Sequence, residues 1–202
     1  MHPNRAFEWD DPEAMLRFVD AHAFAHVFTA SDAGLFVVHV PVIVQDGRVW
    51  FHVSRRNRIA EQVKSRRVLV SVSGREAYQS ANWYVSENQV PTWLYEAVEI
   101  EGEARTLSDD ELVTLLDELS DRMERRHSPE PPWARGKMAP GKFEAMTRAI
   151  VGFEVEPVEV RGTRKFNQHK TGEDLAATID GQRAAGRGDI VAAITELTAK
   201  DE

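Results

Sequence analysis

The chain has 202 residues, 42% of them hydrophobic, with a net charge of -8 and no cysteine. That composition supports a packed core and excludes disulfides, thiolate metal sites and cysteine nucleophiles. An acidic chain has no global attraction for DNA, so DNA binding would require a local basic patch. No apolar run reaches the roughly 20 residues a membrane helix needs, and the first ten residues carry no apolar signal-peptide core. The expected setting is the cytoplasm.

In chain order, Asp11-Pro12-Glu13 reads as a helix start, with Met15, Phe18 and Val19 as its buried stripe and an end near His22. Strands follow at Ala25 to Thr29, Leu35 to Val44 and Val49 to Val53. Asp46-Gly47 closes the last two into a hairpin. With those two as turn residues, Gln45 faces Arg48, and continued pairing sets Pro41 against His52 and His39 against Ser54. Alternation then puts Val38, Val40, Val42, Val44, Val49, Phe51 and Val53 on a dry face. His39, Pro41, His52 and Ser54 share the other face with Val37, Ile43 and Trp50. That second face should be covered, partly by another subunit.

Further along, Arg55 to Arg58 leads into a helix from Ile59 to Ser65, and Val68 to Ser73 is a strand. Tyr78 to Ser86 reads as loop with extended pieces, and Thr92 to Leu107 as one long strand or a bent pair. Ser108 and Glu111 form a capping box for a helix to about Arg126. His127 to Pro140 is a surface loop, Phe143 to Ile150 a helix and Val151 to Val160 a strand. Two helices fill Glu173 to Lys200, broken at Gly186-Arg187-Gly188. The second carries too few basic residues to read DNA bases. The fold class is α+β: one barrel-like sheet with peripheral helices over residues 1–170 and a C-terminal helical appendage over 171–202.

Several stretches carry a resemblance: His39-Val40-Pro41, Phe51 to Asn57, Ser80 to Tyr84, Val90 to Tyr95, Arg148 to Glu154 and Lys165 to Lys170. Together and in this order they resemble the PaiB family, described as FMN-binding negative transcriptional regulators. The resemblance implies an FMN-binding split β-barrel that acts as a homodimer with FMN near the subunit interface. The family's Lys-x-Ser-Gln-Asn-Lys segment reads Lys165-Phe166-Asn167-Gln168-His169-Lys170 here.

FMN offers a phosphate dianion, a ribityl chain and a flat ring. Ser54, Arg55, Arg56 and Asn57, entering a helix, are composed to hold the phosphate, against the plainer reading of a solvated basic turn. His39 and His52 are candidates for the flavin edge or ribityl chain. Trp83, Trp93 and Tyr95 could wall the ring or serve only as core. Lys165, Asn167, Gln168 and Lys170 form a donor-rich segment that, in the resemblance, reaches toward the flavin. None of the seven histidines has a metal-binding spacing, and no catalytic residue stands out. Two alternatives stay open beside the regulator or sensor: a flavin-dependent oxidoreductase, and a haem-binding split barrel using His169 or His127. Direct DNA binding is not expected, because two of the three basic runs, Arg55 to Arg67 and Arg161 to Lys170, fall on the FMN segments.

Overall fold

The computed structural model describes residues 2–127 and 130–199. Its strands are β1 (Glu8–Trp9), β2 (Phe24–Ser31), β3 (Gly34–Gln45), β4 (Arg48–Ser54), β5 (Arg67–Gln79), β6 (Thr92–Thr106) and β7 (Ile150–Lys165). Its helices are α1 (Pro12–His22), α2 (Ala60–Val63), α3 (Asp109–His127), α4 (Lys142–Thr147), α5 (Gly172–Ala184) and α6 (Gly188–Thr198). The sheet order is β1-β7-β4-β3-β2-β5-β6, and β7 also pairs with β6. The chain divides into two compact units. One comprises Met1–Asp11, Ser73–Val98 and Arg161–Glu202; the other comprises Pro12–Val72 and Glu99–Val160.

The second unit holds the barrel. Asp46 and Gly47 both have positive φ, 50° and 77°, the backbone of a tight hairpin turn whose twist matches the flanking strands. The register runs from Gln45↔Arg48 to Val42↔Phe51, as the turn residues require. Val38, Val40, Val42, Val49, Phe51 and Val53 are buried inside, joined by Val27, Phe153 and Val155. The pairing of β7 with both β4 and β6 closes the ring. The closing strands approach so tightly at Gly102 that a Cβ there would lie 2.2 Å from the Glu156 carbonyl oxygen. No larger residue fits without moving backbone.

On the outer face, Ile43 and Trp50 are buried by Leu107 and by this chain's own α3, through Leu112, Leu115 and Leu119. These two positions are covered, as expected, and the cover present comes from this chain's own helix. An amphipathic helix started by the capping box lies over them, with Ser108 Oγ accepting from Glu111 N at 3.3 Å and Glu111 returning the bond to Ser108 N at 2.7 Å. Gly152 makes room, since a Cβ there would meet Leu107 at 2.9 Å. Trp50 Nε1 donates to Glu154 at 2.8 Å, and Arg105 grips the same carboxylate at 2.8 and 2.9 Å. Val37, by contrast, remains 48% exposed.

In the other unit, α5 and α6 pack against strand ends. Ala77, Leu94, Phe166, Ile190, Ala193 and Ile194 form its core. Glu96, buried, receives a bidentate pair from Arg75 at 2.7 and 3.1 Å. β5 and β7 both outrun their expected spans: β5 continues through Tyr78 and Gln79, and β7 through Lys165.

Candidate functional site

The β3 and β4 ladder stops at Val42↔Phe51, so the expected Pro41–His52 and His39–Ser54 pairs are not part of it. Pro41 has no N–H to donate to a ladder, and the N–H of Val42 donates to Ala23 O at 3.0 Å instead. His39 pairs with His26 on β2, their rings edge-on at 4.6 Å. His52 pairs with Gly152 on β7. Its Nδ1 is buried with no hydrogen-bond partner, and burial pushes its pKa below the ordinary histidine value.

Beyond β4 the chain turns sharply. Asn57 N donates to Ser54 O at 2.9 Å, Ser54 Oγ accepts from Arg56 N at 3.2 Å, and Asn57 Oδ1 accepts from Ile59 N at 3.1 Å. Arg55 is tied down by its own N–H to Ala149 O at 2.9 Å and by Nε to Arg148 O at 3.1 Å. Arg56 is exposed, and neither arginine has a carboxylate partner among the described residues. The helix expected over Ile59 to Ser65 shortens to Ala60–Val63. One turn has little macrodipole, so anion binding here rests on the side chains and the turn. His39, His52, Ser54, Arg55, Arg56 and Asn57 all belong to the barrel unit.

The remaining candidates belong to the other unit. Trp83 lies against α5, where a Cβ on Gly181 would meet its ring at 2.5 Å. Trp93 is 54% exposed and edge-on to Tyr78 at 6.1 Å; Tyr95 is half-buried on β6. Asn167 is buried, donating to Tyr84 Oη at 2.8 Å and Thr178 Oγ1 at 3.3 Å. Gln168 accepts from Phe166 N and donates to Ala6 O, each at 2.8 Å. Lys165 donates to Thr92 Oγ1 at 2.5 Å, and Lys170 to Gln89 Oε1 at 2.8 Å.

Sequence reading missed what gathers beside these lysines. Phe7 is buried, and His2 and His169 meet its ring edge-on at 4.8 and 5.0 Å. The Lys165 ammonium lies 5.9 Å from the same ring. Burial lowers the pKa of Lys165. It also lowers that of His169, helped by the positive fields of Lys170, Lys165 and His2. Only the departure at His169 from the family segment hinted at this in the sequence.

Residues 1–159 match the family described as "Putative FMN-binding domain". The chain is 28% identical over 187 residues to the protease synthase and sporulation protein PAI 2 of Bacillus subtilis, covering 89% of this chain and 88% of that one. It is 27% identical over 119 residues to the uncharacterized protein YKL070W of Saccharomyces cerevisiae, covering 53% of this chain and 70% of that one. Among solved structures, the flavocytochrome Anf3 from Azotobacter vinelandii is similar at a TM-score of 0.57 and 18% identity, over 85% of this chain and 73% of that one. The FAD and haem binding protein from Mycobacterium smegmatis is similar at 0.57 and 14%, over 89% and 80%. At such identities the structural likeness is one of fold.

The depressed histidines set a pH dependence. An unfolded chain takes up protons near the ordinary histidine value of about 6.5, while folded His52 and His169 take them up only at lower pH. The unfolded state then binds more protons, so their contribution to stability is complete above about pH 6.5 and is lost as pH falls below it. Urea midpoints measured from neutral pH down to about pH 5 are expected to fall, and His52→Gln to flatten part of that slope.

Proposed function

The chain belongs to the PaiB-like family of FMN-binding proteins, and on that premise we propose that it holds FMN at the end of β4 and serves as a homodimeric flavin sensor in negative regulation of transcription. The observation that carries the cofactor site is the buried, unpartnered Nδ1 of His52 on the strand that ends in Ser54, Arg55, Arg56 and Asn57. An orphaned buried polar atom costs free energy unless a ligand satisfies it, and a turn with two arginines and no carboxylate suits a phosphate dianion. FMN would supply reversible electron transfer. His52, kept neutral by burial, can exchange one hydrogen bond with the flavin's polar edge or ribityl chain, with His39 on the neighbouring strand. Asn167, Gln168 and Trp83 have internal partners that account for their placement, so the phosphate assignment rests on the β4 turn.

Arg56 provides the cleaner test, because Arg55 also holds main chain. Losing one charge-assisted contact costs about 1.5–3 kcal/mol, so Arg56→Ala is expected to weaken FMN by roughly ten- to a hundredfold. Riboflavin, which lacks the phosphate, should bind the variant as it binds the parent. Equal FMN affinity in both proteins, read by flavin fluorescence, removes the turn from the site.

The dimer reading rests on the outer face of β2 and β3. Phe24, His26, Phe28 and Ala30 pair with Pro41, His39, Val37 and Leu35, an eight-residue face without Asp, Glu, Lys or Arg. Phe24, Phe28, Leu35 and Val37 are 53%, 40%, 82% and 48% exposed. Two copies each carrying -8 repel over most of their surfaces, and this uncharged apolar face lets them meet without opposed like charges. Light scattering should give twice 22.8 kDa, and Val37→Glu should return the mass of one chain.

Regulation, in this reading, is indirect. The basic run on α3 is already engaged: Arg122 pairs with Asp20 at 2.6 Å, Arg125 with Asp121 at 2.8 Å, and Arg126 donates to Ala21 O at 2.8 Å. These α3 cations are therefore less available to displace counterions from DNA. Fluorescence titration against genomic fragments at physiological salt is expected to show no complex; sequence-specific binding would restore direct repression.

A further inference from the structure

We propose that Lys165, His169 and Lys170 form a binding site for the anionic group, carboxylate or phosphate monoester, of a second small ligand distinct from FMN. The inference rests on the FMN reading above, because it assigns the single phosphate of FMN to the β4 turn. A second basic cluster is then left without an anion to serve.

The cluster is built rather than scattered. The Phe7 ring holds His2 and His169 edge-on and lies 5.9 Å from the Lys165 ammonium. Thr92 Oγ1 fixes that ammonium with one hydrogen bond at 2.5 Å, and two of its three donors remain to be used. Lys170 is set by Gln89 at 2.8 Å, with its ammonium 5.0 Å over the Tyr84 ring. Neither lysine has an ion pair among the described residues. Asp174 lies within the field of Lys170, but its oxygens are engaged by Val85 N, Ser86 N and Ser86 Oγ at 2.9, 2.9 and 2.5 Å.

This arrangement is out of character for the chain. Acidic residues outnumber basic ones 33 to 25, and several cations elsewhere are paired: Lys64 with Glu61 at 2.7 Å, Arg75 with Glu96 at 2.7 Å, Arg105 with Glu154 at 2.8 Å. Gathering four basic side chains, both lysines half-buried, with no paired carboxylate among the described residues is unfavourable in isolation. Burial lowers the proton affinity of Lys165, and burial together with the positive fields of Lys170, Lys165 and His2 lowers that of His169. A carboxylate or phosphate bound among them would relieve this unfavourable gathering through charge-assisted hydrogen bonds.

The test uses the full-length, FMN-loaded protein and follows the His169 imidazole by NMR during titration with inorganic phosphate and, separately, acetate. Saturable movement with either anion, and a rise in the His169 pKa on saturation, is the expected result. Lys165→Met should weaken the anion at least about tenfold, as loss of one charge-assisted contact does, while Lys165→Arg should retain it. Should Lys165→Met fail to fold, Lys170→Met carries the same expectation. Arg56→Ala should leave the anion response intact while weakening FMN, which separates failure of this site from failure of the FMN site. The proposal is overturned by no saturable movement, by an unchanged response in the lysine variants, or by a response that appears only without FMN, which would give the cluster to the flavin itself.

Discussion

A shift of one residue in the hairpin closed by Asp46 and Gly47 would turn every side chain of β3 and β4 to the opposite face, and most of the barrel unit depends on that parity. With the turn as it stands, Phe51 and Val53 enter the core beside Phe153. The alternate positions Ile43 and Trp50 meet α3. The same parity brings His52 to the face of β4 where its ring is desolvated and its Nδ1 unpartnered. The ladder's end before Pro41 then frees the last residues of β4 from β3. Core, helix docking and the candidate cofactor site are thus three consequences of two residues with positive φ.

Each unit also contains a buried carboxylate held by arginine: Glu154 by Arg105 and the Trp50 indole, Glu96 by Arg75. Replacing such pairs by apolar residues need not cost stability, but removing one partner leaves a buried charge uncompensated. Their effect is to specify orientation. The indole of Trp50 donates its N–H to Glu154 while its ring packs in the cluster that includes Leu112 and Leu115.

The candidate binding groups show the opposite condition. The turn from Ser54 to Asn57 has its main chain bonded within the turn and to Ala149 but leaves the Arg56 guanidinium unpaired among the described residues, and the Phe7 cluster holds lysines short of acceptors. Unmet hydrogen-bonding capacity next to a well-paired core is the pattern expected where a ligand supplies the missing partners. That both places are basic, in an acidic protein, points to anionic ligands.

What could be read from the amino-acid sequence alone was local. The Asp-Gly turn, the capping box at Ser108 and Glu111, the helix break at Gly186 and the inward alternation of the valines each depend on residues a few positions apart, whose backbone preferences hold in any context. The family segments added the cofactor class and marked the arginines after β4. The tertiary structure decided which surfaces meet. Periodicity showed that Ile43 and Trp50 must be covered but could not say by what, because the cover, α3, comes from more than fifty residues downstream. It could not show that β5 and β7 continue past their apolar runs, since polar residues there gain strand pairing only from partners elsewhere. Nor could it show His2 and Phe7 beside Lys165 and His169: side chains from opposite ends of the chain are brought together by packing, which no local pattern encodes.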